Sequence, residues 1–237
     1  MSKEHFTPDL IAQIESSAVL SDLGIIYQMQ KGSVVIEPFC RENLSTSSYS
    51  LTLGEWYFVR SREEPSKLNI CRFPNPKIFW DGPRQAVLAK DFKEKYGQFI
   101  PVDFWQDIKD NDRLITVPAG EVILVHSHEF AGAREGYTQM VRSRSTLERL
   151  GVTTTISAGW GDVGFTNRWT FLLKNEHFSS DVVLKVGAPY FQLVFLKCAP
   201  VGTSYVEGGG RYQGTENLEA LMKSWKPEDM LPKVPKC

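Results

Sequence analysis

From Val34 onward the chain is a succession of short apolar or alternating runs separated by turn-forming residues, a rhythm that restricts the fold more than any other feature. The runs occupy residues 34–39 (VVIEPF), 49–59 (YSLTLGEWYFV), 114–117 (LITV), 121–127 (EVILVHS), 152–156, 168–173, 182–186 and 190–196. Pro118-Ala119-Gly120, between two of them, is a turn signal that predicts a hairpin. Many short strands with little helical periodicity predict an all-β sandwich, jelly roll or barrel. One helix is expected before them, over residues 8–16, with Thr7 as N-cap, Pro8 at the first position and Leu10, Ile11 and Ile14 on one side.

Two segments depart from the rhythm. Residues 61–112 place Pro65, Pro74, Pro76, Pro83 and Pro101 among Phe79, Trp80, Phe104 and Trp105, which is too long and too aromatic for a bare loop. They are expected as an insertion packed on the domain. From Gly208 the chain is glycine-rich, then charged and proline-containing, and residues 208–237 are expected to form a flexible C-terminal flap and tail.

Composition narrows the partners. With 237 residues, 42% of them hydrophobic, the chain can bury a real core. The 27 Lys and Arg residues nearly cancel 28 Asp and Glu, so no bulk positive field marks a binder of nucleic acid polymers or of anionic membranes. Any anion must be met by a few placed cations. No apolar run approaches the roughly 20 residues of a membrane span, and residues 1–10 are too polar for a signal peptide, so a cytoplasmic or otherwise soluble intracellular protein is expected. Cys40, Cys71, Cys198 and Cys237 form no C-x-x-C pair and predict isolated thiols, with no metal held by the protein alone. His126 and His128 lack the companion motif of a zinc deaminase and read as polar residues at a strand end.

Two stretches carry chemistry. In residues 144–151 (RSTLERLG), Ser145 followed by Glu148 fits a capping box and Gly151 can close a helix of two turns or fewer. Free N–H groups beside Arg144 would suit phosphate oxygens; a capped helix with solvated arginines fits the same pattern. In residues 158–165 (AGWGDVGF), three glycines surround Asp162. Glycines let backbone approach a ligand, and the carboxylate can orient a water or a sugar hydroxyl; a plain β-turn is the other reading.

These two stretches, with Ile36-Glu37-Pro38-Phe39, residues 47–54 (SSYSLTLG) and Arg211-Tyr212-Gln213-Gly214, resemble in order the motifs of the dCTP deaminase branch of the dUTPase superfamily. The resemblance implies a single dUTPase-like domain, a distorted β jelly roll with a short N-terminal helix and the 61–112 insertion. It also implies a homotrimer with three sites built between subunits. A pyrimidine deoxynucleoside triphosphate, accompanied by Mg²⁺, would be held by Arg144, Ser145 and Thr146, with Arg149 completing the neighbouring site. The backbone at Ala158, Gly159 and Trp160 would read the pyrimidine, Asp162 would work at the sugar and water, and Arg211, Tyr212 and Gln213 would close over the nucleotide.

The same resemblance exposes two departures. Counting along the ungapped motif, the glutamate that shuttles the proton in deamination falls on Leu172, which cannot transfer a proton. Glu176 lies about 13 Å further along a strand. Ser50 stands where the family usually carries aspartate. Retention of Asp162 without the glutamate favours dUTPase-like hydrolysis to the monophosphate and pyrophosphate; dCTP deamination to dUTP and a non-catalytic nucleotide-binding or regulatory role are the alternatives.

Overall fold

A computed structural model describes residues 6–61, 79–154 and 158–233. Cys71, Cys237, Pro65, Pro74, Pro76 and the last two residues of the 152–156 run lie outside the described residues. Two helices, not one, precede the strands. Helix α1 (Pro8–Ser16) starts as expected, with the Thr7 hydroxyl accepting from the Leu10 N–H at 3.3 Å. Helix α2 (Asp22–Lys31) is capped by Ser21 and stopped by Gly32 at φ 82°. Its Gly-Ile-Ile-Tyr centre is a poor intrinsic helix former, which hid it in the sequence; burial of Ile25 and Ile26 outweighs propensity.

The strands are β1 (Val34–Glu37), β2 (Leu44–Ser45), β3 (Ser48–Val59), β4 (Arg84–Gln85), β5 (Val87–Leu88), β6 (Arg113–Val117), β7 (Val122–Ala133), β8 (Tyr137–Ser143), β9 (Val152–Thr154), β10 (Trp160–Gly161), β11 (Thr166–Asn175), β12 (Val182–Lys185) and β13 (Pro189–Lys197). The expected mainly-β architecture is present. One antiparallel sheet runs β10-β8-β13-β3-β7-β11-β9, with β1 on β7 and β2 and β4 on β3; β12, β6 and β5 form a smaller sheet. The hairpin expected across Pro118–Gly120 does not form. The turn is made, but β6 is flanked on both sides by β12 and β5, so β7 pairs elsewhere.

The large sheet curls until its own strands meet. Phe171 of β11 stacks on Phe191 of β13, three places away in the strand order, with ring centroids 3.7 Å apart. Trp169, Phe171 and Leu173 of β11 and Phe191, Leu193 and Phe195 of β13 face the main core, as strand alternation requires. Arg168, Thr170 and Leu172 fall on the opposite face of β11. The described part of the insertion contributes helix α3 (Ala89–Tyr96), whose Phe92 packs with Leu114, Trp105 and Ile108 against the small sheet.

A polar seam sits where β3 changes partners. Its first part pairs with β13 and its second with β7, and the changeover falls at Thr52 and Leu53. Thr52 stands opposite Pro189, which has no N–H to give. The buried Glu129 carboxylate accepts from the Thr52 N–H at 2.9 Å and from its hydroxyl at 2.8 Å. One step along β7, Ser127 Oγ donates to the Glu129 carbonyl at 2.7 Å and accepts from the Trp169 N–H at 2.8 Å, across a register shift in β11. His126 Nε2 accepts from the Trp56 N–H at 3.2 Å while Nδ1 meets the Ser127 carbonyl at 2.7 Å, a pattern that places the ring proton on Nδ1. Burial above all, helped by the Arg168 charge, pushes the His126 pKa down to about 3, and burial raises that of Glu129. Gly54 lets this happen: a Cβ there would lie 2.0 Å from His126 Cε1.

Two outcomes follow from the seam. Gly54→Ala will lower the denaturant midpoint, costing about 2 kcal/mol or more through overpacking against a buried ring; an unchanged midpoint would show that His126 can move aside freely. Native His126 takes a proton only near pH 3, whereas the unfolded residue titrates near 6.5. The wild-type advantage over His126→Gln is therefore complete above pH 6.5 and shrinks by up to about 1.4 kcal/mol per pH unit below it. Denaturation curves from pH 7 to 4 check this, and a constant difference would contradict it.

Candidate functional site

A cavity of about 290 Å³ opens between β10, β11 and the C-terminal segment. Pairing of β10 with β8 builds its first wall, and Gly161 is required there because a Cβ would come within 2.4 Å of Gln139 Nε2. The chain then turns, the Phe165 N–H reaching the Asp162 carbonyl at 3.0 Å, which leaves the exposed Asp162 carboxylate on the cavity wall. Trp160, Phe165, Tyr205, Tyr212 and Trp225 supply flat apolar surface around it.

Arg168 is the residue the sequence reading missed. The irregularity in β11 between Arg168 and Thr170 delivers its guanidinium into the cavity. There it lies over the Phe130 ring at 5.0 Å and the Trp225 ring at 4.3 Å from the centroids. No acceptor among the described residues meets its buried Nε. Burial lowers its pKa against the opposing pull of Glu55 and Glu129. Nothing in the spacing of an alternating strand distinguishes such an arginine from a solvated one, and its aromatic partners lie far away in the chain.

The C-terminal segment forms the outer wall. Asn167 Nδ2 donates to the Tyr212 carbonyl at 2.6 Å, and the Tyr212 N–H donates to the Tyr205 hydroxyl at 3.2 Å. Gln213 is buried: its Oε1 accepts from the Thr166 N–H at 2.6 Å, and its Nε2 donates to the Gly164 and Thr215 carbonyls at 3.1 and 3.0 Å. Arg211 borders an adjoining depression with Tyr212 and Trp225. Helix α5 (Leu218–Ser224), capped by Asn217, leads to Trp225, which also packs on His126 at 4.8 Å. Met230 and Leu231 then join Phe58, Trp80 and Leu124, and Leu172 packs into this apolar cluster.

The arginine-rich stretch lies elsewhere. Helix α4 (Ser145–Arg149) is a single short turn, and the predicted capping box is not formed. Arg144 is the N-cap residue, Ser145 is the first helical residue, and Glu148 takes the hydroxyl of Ser143 instead. Arg144 Nη1 donates to Ser50 Oγ at 2.9 Å, so the serine at the departing motif position still contacts the arginine. Gly151 at φ 75° ends the helix beside His177, whose Nε2 would lie 2.6 Å from a Cβ. Ser145, Thr146 and Arg149 are exposed, and none of these residues lines the Asp162 cavity. Gly161 pairs with Gln139, five residues before Arg144, so about 17 Å of strand separates the two places. Ala158 and Trp160 lie on the cavity side of that gap, and the Gly159 carbonyl is taken by the Val141 N–H at 2.7 Å.

Among the described residues no group of three or more His, Cys, Asp or Glu side chains is placed to hold a metal ion. His126 and His128 do not share an environment, since the first is buried and the second exposed. Cys40 and Cys198 are free thiols. No helix among the described residues is long and apolar enough to cross a membrane.

Comparison with known proteins agrees with the motif order. The chain is 27% identical over 205 residues to the dCTP deaminase, dUMP-forming, of Methanopyrus kandleri, covering 84% of this chain and 92% of that one. It is 28% identical over 213 residues to the protein of the same name from Methanococcus aeolicus, covering 86% and 96%. Among solved structures it is similar to the 2'-deoxycytidine 5'-triphosphate deaminase of Agrobacterium tumefaciens, with a TM-score of 0.48 and 17% identity over 76% of this chain and 48% of that one. Residues 19–198, from just before α2 to just past β13, match the dCTP deaminase-like family, and the chain belongs to it.

Proposed function

We propose that this protein hydrolyses a pyrimidine deoxynucleoside triphosphate to the monophosphate and pyrophosphate and does not deaminate the base. The observation that carries the proposal is Leu172, packed against the cluster of Phe58, Trp80, Leu124, Met230 and Leu231 where the family motif calls for a proton-shuttling glutamate. Removing an amine from the pyrimidine C4 needs a group that takes a proton from water and returns it to the leaving nitrogen. Glu176 is no replacement: it is engaged by Lys174 Nζ at 2.7 Å and Thr153 Oγ1 at 2.8 Å. The relatives' name states that they form dUMP from dCTP, which by atom balance removes both an amine and a pyrophosphate. Loss of the proton shuttle alone leaves the second half.

In that half-reaction Asp162 orients a water and takes its proton as the water oxygen bonds to the α-phosphorus and the bond to the pyrophosphate oxygen breaks. Arg144, Ser145 and Thr146 hold the triphosphate and Arg149 completes a neighbouring site. The gap between the Arg144 turn and the Asp162 cavity supports assembly of each site from more than one subunit, as a homotrimer would provide. With one exposed carboxylate at the turn and no cage of protein ligands among the described residues, the site fits Mg²⁺ held chiefly by the substrate's own phosphates. The ion would neutralise charge on the departing pyrophosphate. Ala158, Gly159 and Trp160 border the base, and Arg211, Tyr212 and Gln213 belong to the segment over it.

A second reading, dCTP deamination, is favoured by the relatives' names, and product analysis separates the two. With Mg²⁺, dUTP is expected to give dUMP and pyrophosphate while dCTP gives no ammonia; ammonia release would establish the second reading, and binding without turnover a non-catalytic role. Asp162→Asn is expected to lower hydrolysis about 10²–10⁴-fold with an unchanged melting temperature. Undiminished turnover would remove Asp162 from the mechanism. Arg149→Ala should likewise impair turnover, and restoration on mixing with Asp162→Asn subunits would support a shared site.

A further inference from the structure

We infer that Arg168 is a specificity-determining residue that donates to a carbonyl oxygen at C4 of the pyrimidine, so the cavity selects 4-oxo bases over 4-amino bases. The inference rests on the proposed reading of this cavity as the nucleotide site.

Three features lead to it. The first is the donor itself. A guanidinium has five N–H groups and no acceptor, and no acceptor among the described residues meets the buried Nε of Arg168. Nε itself is enclosed, so donation into the cavity falls to the two terminal nitrogens. The plane is held by Phe130 and Trp225, so the terminal donors are fixed in direction rather than free to swing, and a lysine in the same place would offer no such plane.

The second feature is charge. Asp162 and Asp229 also line the cavity, and Glu55 and Glu129 lie close enough to act on Arg168. One cation among these carboxylates is a poor receptor for a triphosphate and a good one for an uncharged polar ring. The flat, exposed side chain of Trp160 suits one face of such a ring.

The third feature is the face of β11. Arg168 and Thr170 lie on it and line the cavity, so the end of a base directed along that face meets a donor-only group and a hydroxyl, while Leu172 packs beyond them in the apolar cluster. Beside the Arg168 donors an exocyclic amine would set N–H against N–H. A carbonyl at the same position is an acceptor and pairs with Arg168. A mismatch that sets a donor against a donor is expected to cost about tenfold or more in affinity.

The test measures binding, which separates it from turnover. Full-length protein with Mg²⁺ is titrated with the α,β-imido analogues of dUTP and dCTP, for wild type, Arg168→Gln and Arg168→Lys. Wild type is expected to bind the dUTP analogue at least about tenfold more tightly. Both variants should weaken the dUTP analogue about tenfold while leaving the dCTP analogue within about threefold, collapsing the preference. Arg168→Lys keeps the positive charge beside Glu129 and serves if Arg168→Gln lowers the melting temperature. Equal or tighter wild-type binding of the dCTP analogue would overturn the inference, as would variants that keep the preference. Equal weakening of both analogues would mean that Arg168 meets the phosphates, and would overturn it too. A protein that shows the predicted preference and yet releases no pyrophosphate would refute the hydrolytic function alone.

Discussion

The architecture depends on a buried carboxylate that makes no ion pair among the described residues. Glu129 sits inside the sheet and accepts both hydrogens that Thr52 can offer, at the point where β3 leaves β13 for β7. A strand that changes partners leaves backbone groups without a ladder, and a buried N–H left unpaired costs about 1–3 kcal/mol. Burial raises the Glu129 pKa, and the two Thr52 bonds oppose that rise by stabilising its ionised form. Ser127 and His126 take up further backbone groups of β7, β3 and β11 around the same point. With those groups satisfied the sheet can bend sharply enough for Phe171 to stack on Phe191.

The bend also explains the site. The irregularity that lets Ser127 reach the Trp169 N–H turns Arg168 out of the main core and under Trp225. The C-terminal segment is drawn in over it by Gln213, which bonds two backbone groups at the start of β11, and by Met230 and Leu231 in the cluster that includes Leu172. One wall of the cavity is therefore polar and fixed, and the neighbouring wall is apolar. The arginine-bearing turn at Arg144 lies at the far end of β8, which separates it from the Asp162 carboxylate within one chain.

What could be read from the sequence follows from how local each signal is. Strand alternation at 168–173 and 190–196, the Thr7 cap and the left-handed Gly151 depend on neighbours in the chain, and they appear where the pattern puts them. The glycines around Asp162 were legible as places of close approach, though only the fold shows that Gly161 faces Gln139; Gly54, which faces His126, carried no such signal. Helix α2 was hidden because its stability comes from Ile25 and Ile26 in the core rather than from propensity. The β6–β7 hairpin failed because pairing with β12 and β5 outweighed a good turn. Arg168 could not be picked out, since its meaning comes from Phe130 and Trp225, 38 and 57 residues away.

The proposed function keeps the chemistry of water at phosphorus and lacks that of water at the pyrimidine carbon. Turnover in water enriched in oxygen-18, with dUTP and dCTP supplied separately and the products weighed by mass spectrometry, tests it directly. dUTP is expected to yield dUMP carrying the heavy oxygen on its phosphoryl group, and neither substrate a base labelled at C4. Heavy oxygen on C4 of a uracil product from dCTP would contradict it.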